Sequence, residues 1–355
     1  MNFRTTLLFA GLTILVACGK KDTAPTTTTT TTIDTTVKAE PVVIADTNHH
    51  LYFRPVAGSV RRYHVIDRMT AEATDAQPGG QTDKHAGTSQ NEFYVTATTG
   101  TTGSDSSVEL TVRVDSISLS ADQDTTHTRY SSNNAKDRAN ERYRQFNIMI
   151  GKTIKVRVDK YGDLAAMTDV SAISGALMSQ VPDSLRSNPR IQQMATQQAQ
   201  EIANSYLMRV LVHSPTRALI KDTTWRHSSD VNLNIAQGLS FPVTVAASET
   251  VRGLERRNGR VLAVLEDNTT TTPKKLVLQE GPTKATISNF VATSHGVARV
   301  DDATGVLFHR ALDEKRSFTF VVENTQHPGE RRSISQNGSE TLTVELIAET
   351  PVAKP

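Results

Sequence analysis

Residues 108 to 115 alternate without a break. Val108, Leu110, Val112 and Val114 fall on one side of an extended chain, and Glu109, Thr111, Arg113 and Asp115 on the other. Successive side chains of a strand point to opposite faces, so this stretch is a half-buried strand with one wet face. The pattern belongs to antiparallel sheets covered on one side, since strands of parallel sheets read as continuous apolar runs. Strand-forming stretches also occur at 60–69, 92–99, 283–293, 296–300, 306–312, 317–324 and 341–348. Residues 250–256 and 260–266 flank Arg257-Asn258-Gly259, which predicts a hairpin closed by a tight primed turn, because Asn and Gly tolerate positive φ. Asn337-Gly338 predicts a second such turn.

Helical signals cluster in the middle of the chain. Ala135, Ala139, Tyr143, Phe146 and Ile150 recur at helical spacing and predict one helix ending near Gly151. Val170, Ile173, Leu177 and Val181 form a shorter stripe that stops before Pro182. Asn188-Pro189 is a capping residue followed by proline at the first helical position. The helix it opens is expected to reach about Val212, with Ile191, Met194, Ile202, Tyr206 and Val210 inward.

Strands, then helices, then strands give an α+β fold, a long curved antiparallel sheet with a helical segment inserted in its middle. The body is expected over residues 49–350: a first half at 49–168, the helical segment at 169–213 and a second half at 214–350. One pattern occurs twice. Val156-Arg157-Val158-Asp159-Lys160-Tyr161-Gly162-Asp163-Leu164 is echoed by Ala298-Arg299-Val300-Asp301-Asp302-Ala303-Thr304-Gly305-Val306-Leu307. Each reads as a hairpin whose turn uses Asp as a side-chain acceptor and Gly for positive φ. The echo raises the expectation of two related half-sheets.

The start of the chain is a separate matter. Arg4 precedes an apolar run from Leu7 to Val16, about ten residues where a membrane span needs roughly 20. This fits the signal peptide of an exported protein, residues 1–17. Leu15-Val16-Ala17-Cys18-Gly19 resembles the lipobox of bacterial lipoprotein precursors. That resemblance implies a diacylglycerol on the Cys18 sulfur, cleavage before Cys18 and acylation, palmitate among the chains, of the new amino terminus. Cys18 is also the sole cysteine, so the body holds no disulfide, Cys-based zinc site or thiol nucleophile. Residues 18–48 carry the unbroken run Thr26 to Thr32 and little that is apolar, so they are expected as a flexible tether. A chain of ~29 residues spans roughly 30 Å. Asp22-Thr23-Ala24 and Asp34-Thr35-Thr36 resemble the Asp-Ser/Thr-small acceptor pattern for O-glycosylation, which makes Thr23 and Thr35 candidate sites; the alternative is an unmodified polar linker.

Composition and motifs narrow the function by exclusion. A formal net charge of +2, scattered basic residues and 5% aromatic residues give no electrostatic or stacking platform for nucleic acid. No nucleophile elbow, phosphate loop, His-Glu-x-x-His or dinucleotide fingerprint is present, so neither an enzyme nor a cofactor is expected. His49-His50 point to opposite faces of an extended chain and lack a third ligand, and Asp122-Gln123-Asp124 and Asp301-Asp302 lack the spaced oxygens of a calcium loop; no metal site is expected. Trp225 is expected as a core anchor where the second half begins, and Met149, Met167, Met178, Met194 and Met208 as helix–sheet packing.

Several features together resemble an uncharacterised family of lipoproteins common in Bacteroidota. They are Leu51-Tyr52-Phe53 with Gly58-Ser59 and Tyr63, Gly151-Lys152 with Val158-Asp159 and Gly162, Pro215 with Lys221-Asp222-Thr223-Thr224-Trp225, and Gly296 with Asp301 and Gly305. The family carries no assigned activity, so no catalytic residue transfers. More remotely the pattern is similar to half-barrel lipoproteins of the cell envelope, which hold acyl chains between a curved sheet and its helices. The resemblance implies a non-enzymatic envelope lipoprotein, anchored to the membrane through Cys18 and holding an apolar ligand between sheet and helices. The alternative is a structural or interaction module that contacts envelope protein or glycan and takes no small-molecule ligand. No Asp directly follows Cys18, so the outer membrane is the expected destination, with the periplasmic and surface faces both open.

Overall fold

The strand expected from Val108 reaches Gln123 and buries Val108, Leu110, Val112 and Val114, leaving Glu109 and Arg113 exposed, in a computed structural model that describes residues 31–32, 39–43, 49–77, 80–236, 239–326 and 331–350. At Asp115 the strand carries one extra residue against its neighbour, since Val114 pairs with Val95 and Ser116 with Tyr94. Such a bulge reverses the inward–outward parity of the strand beyond it. Inward residues are even-numbered up to Val114 and odd-numbered from Ile117 through Leu119 to Ala121.

Chain order is β1 (Thr31–Thr32), β2 (Glu40–Val42), β3 (Val60–Ala76), β4 (Thr82–Thr102), β5 (Val108–Gln123), β6 (Thr126–Ser131), α1 (Ala135–Ala139), a 3-10 turn (Glu141–Tyr143), α2 (Arg144–Asn147), β7 (Thr153–Val158) and β8 (Leu164–Asp169). There follow α3 (Ser171–Met178), α4 (Asp183–Arg186), α5 (Pro189–Val210), β9 (Thr224–Ala236), β10 (Leu239–Arg257), β11 (Arg260–Pro273), β12 (Val277–Glu280), β13 (Thr283–Asp301), β14 (Leu307–Asn324) and β15 (Arg331–Thr350). The fold is α+β, as expected: one open antiparallel sheet with the helices between its two runs of strands.

The order across the sheet is β9, β10, β11, β13, β14, β15, β3, β4, β5, β7, β8. The first and last long strands, β3 and β15, therefore pair in the middle, from Val60 opposite Thr350 to Ala76 opposite Ser333. Both halves belong to one sheet. Two stretches of the segment expected as a tether also join it. Thr31–Thr32 pairs with Ala348 and Glu349, where β15 extends beyond β14, and Glu40–Val42 pairs with residues 254–256, where β10 extends beyond β9. Each occupies backbone groups that the longer strand leaves unpaired. Cys18, Thr23 and Thr35 lie outside the described residues.

Several strands are longer than their apolar alternation. The stretches at 283–293 and 296–300 are one strand, β13, and those at 306–312 and 317–324 are one strand, β14. The turn expected at Asn337-Gly338 is instead the interior of β15, with Gly338 between Arg316 of β14 and Ala71 of β3. Pairing on both sides overrides the local turn preference. A Cβ on Gly338 would sit 3.0 Å from the Thr70 carbonyl oxygen, so glycine serves close strand approach here. The Asn258-Gly259 turn forms as expected, with φ of 51° and 74°.

The helices cover one face of the sheet. The single helix expected over 135–150 is three short pieces, because Asn140 interrupts it and accepts a hydrogen bond from the Arg142 N–H to cap the next turn. Asn188 caps α5 through the Arg190 N–H, with Pro189 at the first position, as expected. The buried face of α5 is shifted from the expected one: Val210 is inward as expected, joined by Ala195, Ala199, Ala203 and Leu207, while Met194 is 61% exposed. Alanines four residues apart give α5 a flat side on which α3 packs closely, and Ile202 and Tyr206 move to the flank. These side chains join Ile173 and Leu177 of α3 and inward residues of both sheet halves in one continuous core. A smaller core forms between Phe241, Ala285, Ile287 and Phe320.

Candidate functional site

Three arrangements bear on function: the filled inner face, a polar cluster at the C-terminal end of α5, and a groove on the outer face. On the inner face, Phe93 of β4 meets the Tyr206 ring edge-on at 5.1 Å, and Leu207, Ala199 and Ala203 are fully buried. Between sheet and helices, side chains of α3 and α5 pack against inward residues of the sheet.

The polar cluster forms where residues 211–223 carry the chain from α5 to β9. Glu249 of β10 lies directly opposite Asp267 of β11. Burial and the facing Asp267 push the Glu249 carboxyl up to about 7, and burial raises Asp267 as well. Arg310 stands 3.8 Å from Asp267 and donates to the Met208 carbonyl at the end of α5. His213 pairs with Asp163 of the β7–β8 hairpin at 2.9 Å, which raises its pKa, and its ring lies 6.4 Å from that of His227 on β9. Since β8 and β9 are the two edges of the sheet, this cluster is a polar seam between them. Chemically it holds a proton and joins elements; among the described residues no group of three or more His, Cys, Asp or Glu is placed to hold a metal.

The outer groove crosses β5, β4, β3, β15, β14 and β13 and encloses about 840 Å3. It follows a row of small residues, Gly87, Ala71 and Gly338, paired strand to strand. Thr70 and Glu72 alternate with the buried Ala71 and Ala73 and so face outward. Thr88, Lys315, Ser317 and Asn337 also line it. The Thr70 and Ser339 hydroxyls are 2.7 Å apart. Asp122 at one end is held by Arg129 and His127, which bring its carboxyl down to about 2, and Asp124 is paired with His85. Glu72 and Lys315 have no such partner among the described residues. The groove therefore offers hydroxyl and amide groups with one unpaired anion and one unpaired cation. It has no aromatic ring for stacking.

The residues singled out from sequence take structural places. His49 bonds Asp302 at 2.6 Å, and His50 stacks on Tyr52 with centroids 5.6 Å apart. Asp159 accepts from the Tyr161 and Asp163 N–H groups, and Asp301 from those of Ala303 and Thr304, so the echoed turns are built alike. Gly162 and Gly305 have φ of +88° and +67°, and a Cβ on either would lie within 2.4 Å of a backbone oxygen, of Val212 or Tyr52. Trp225 packs partly buried against the main core. Met149 is buried, while Met208 is exposed. Glu249, Asp267 and the groove residues carry no sequence motif. Only their strand register brings them together.

A family model of unknown function, DUF6263, matches residues 105–307, more than half of the chain. The chain belongs to the DUF6263 family. The DUF6263 match runs from β5 to the start of β14 and includes both echoed turns; β3, β4, most of β14 and β15, adjacent in the middle of the sheet, lie outside it. No curated protein matches the chain. Among solved structures, one describing lipid–protein interactions in lipovitellin is similar at 8% identity and a TM-score of 0.42, over 84% of this chain and 26% of that one. The chain thus spans about a quarter of the lipovitellin chain. A DUF1329 family protein from Desulfovibrio piger is similar at 9% identity and a TM-score of 0.12, over 79% of this chain and 85% of the other. At this identity and overlap neither likeness assigns a function to the DUF6263 chain.

Proposed function

We propose that this chain is a non-enzymatic lipoprotein of the cell envelope, held at the outer membrane through lipid on Cys18, that binds an extended polar partner across the outer face of its sheet. The observation that carries the binding reading is the 840 Å3 groove with Glu72 and Lys315, which have no partner among the described residues, set on a sheet whose other face packs in part against α3 and α5. A partner running across the strands reaches the hydroxyls of Thr88 and Ser317 and the amide of Asn337, as well as both charges. This is the interaction-module reading. An apolar ligand between sheet and helices would have to displace Leu207 and the alanines of α5, which are already buried.

The tether rests on Leu15-Val16-Ala17-Cys18 and on the lack of another cysteine. Two or more acyl chains make attachment stable where one gives reversible binding. Mass spectrometry of the N-terminal peptide of the purified native protein tests it. The expected peptide begins at a Cys18 carrying diacylglycerol, and Cys18→Ser moves the protein from the membrane fraction to the soluble one or leaves it as an uncleaved precursor. A native chain that keeps residues 1–17, or carries a free Cys18 thiol, contradicts the reading.

A further inference from the structure

The segment after the tether crosses one pole of the sheet. The Phe53 N–H donates to the Lys160 carbonyl and the Arg54 N–H to the Thr304 carbonyl, both at 2.8 Å, so residues 53 and 54 bridge the two echoed Asp-Gly turns. Beside this bridge is a cavity of about 360 Å3. Its lining includes Tyr52, Phe53, Arg54, Thr102, Ser106 and Lys160, and it contains two cations and no carboxylate. Arg54 uses its Nε on the Ala303 carbonyl, which leaves its terminal nitrogens without a partner among the described residues. Lys160 has no ion-pair partner there either; its Nζ stands 5.9 Å from the centre of the Tyr52 ring and 5.0 Å from that of Tyr161. The nearby acids are engaged. Asp105 accepts from Ser107, Asp159 closes its own turn, and Asp302 holds His49.

We propose that this cavity is a binding site for the phosphate-bearing headgroup of an anionic phospholipid. Arg54 and Lys160 supply charge-assisted donors to the phosphate, the Thr102 and Ser106 hydroxyls donate to its oxygens or to the glycerol, and the half-buried Tyr52 ring flanks the apolar part. A headgroup is favoured over free phosphate by the Tyr52 ring and by position. The tether enters at this pole, where Glu40–Val42 pairs with residues 254–256 next to the Asn258-Gly259 turn and the His49 carbonyl accepts from the Leu219 N–H. The site would fix the orientation of the body on its own membrane. In this respect the inference rests on the tether reading above.

The test uses the full chain with Cys18→Ser, so that no lipid of its own competes, titrated by calorimetry. The probes are dihexanoylphosphatidylglycerol below its micelle concentration, dihexanoylphosphatidylcholine and inorganic phosphate. Phosphatidylglycerol is expected to bind about tenfold more tightly than either other probe, and the pair Arg54→Gln with Lys160→Gln to lose about tenfold or more of that affinity. Lys160→Arg, which keeps the charge, retains binding, as does Lys84→Gln on β4; thermal melting confirms that each variant is folded. Equal affinity for the two lipids, inorganic phosphate binding as tightly as phosphatidylglycerol, or full affinity in the folded double variant overturns the site. The mass of the Cys18 peptide is read separately. A lipidated native chain without phosphatidylglycerol preference sinks this site alone, and an unlipidated one that binds phosphatidylglycerol sinks the tether alone.

Discussion

Arg209, in the last turn of α5, donates to Asp67 of β3 at 2.5 Å and ties the long helix to the middle of the sheet. The Asp67 side chain is only 7% exposed and the Arg209 side chain 26%. Arg209 also lies over the Phe93 ring, 5.6 Å from its centre. Removing one partner of a buried pair costs more than the pair contributes, because the other charge stays buried. Arg209→Ala is therefore expected to destabilise by about 3 kcal/mol, with Asp67 left beside Glu340, whose carboxyl burial and Asp67 already push up. Replacing both by apolar residues, Asp67→Leu with Arg209→Met, should recover most of the loss. Urea unfolding midpoints of the three variants check this.

The Glu249–Asp267 pair gives the seam a pH dependence. A carboxyl raised in the fold holds its proton where the unfolded chain has released it, so stability falls as pH rises from the ordinary Glu range to about 7. His213 acts in the same direction: its raised pKa contributes stability that is present at pH 6 and lost as pH rises through the folded value. His309, lowered by burial and by Arg299, works the opposite way below its ordinary value. The contrast between wild type and Glu249→Gln isolates the Glu249 share. The variant is expected to lose about 1–2 kcal/mol less stability than wild type between pH 5 and pH 8, after discounting for partial solvent screening. Denaturant unfolding at the two pH values provides the comparison. Parallel wild-type and variant profiles would show that Glu249 holds no extra proton.

The filled inner face predicts intolerance of added volume. Ala199 and Ala203 are fully buried where α5 meets α3 and the sheet. Ala199→Leu or Ala203→Leu should each destabilise by about 1–3 kcal/mol, the usual cost of overpacking. A neutral or stabilising outcome in thermal unfolding would reveal spare room, and with it space for an apolar ligand.

Much of the fold is legible in the sequence because β-strand alternation needs only local residues. Val108 to Val114 give the inward face of β5 directly, and Asn188-Pro189 give the start of α5. Legibility stops where long-range pairing decides. The far ends of β4 and β15 alternate with Thr, Ser and Gln rather than apolar residues, so their extra length is hidden. Asn337-Gly338 carries the local signal of a turn, and only the flanking β3 and β14 hold it extended. The register set by Asn258-Gly259 would place Asn268 opposite Glu249; the bulge at Arg252 shifts the partner to Asp267. On α5 the sequence pattern places Val210 inward correctly but also Met194, which is exposed, because a stripe of alanines packs more closely. Arg54 and Lys160 meet only because residues 53 and 54 bridge two turns far apart in sequence. In contrast, the candidate lipid site Cys18 is a reading of sequence alone.

The central claim, that the partner lies on the outer face and not between sheet and helices, is tested most directly by photo-crosslinking in cells. A crosslinking amino acid is placed in the native protein at Asn337 or Thr88 in the groove, and at exposed Met194 on α5 as the helix-side comparison. The account predicts a discrete adduct from both groove positions, suppressed by Glu72→Gln with Lys315→Gln, and no matching adduct from Met194. An adduct only at Met194, or acyl-chain adducts from the helix side and none from the groove, would contradict it.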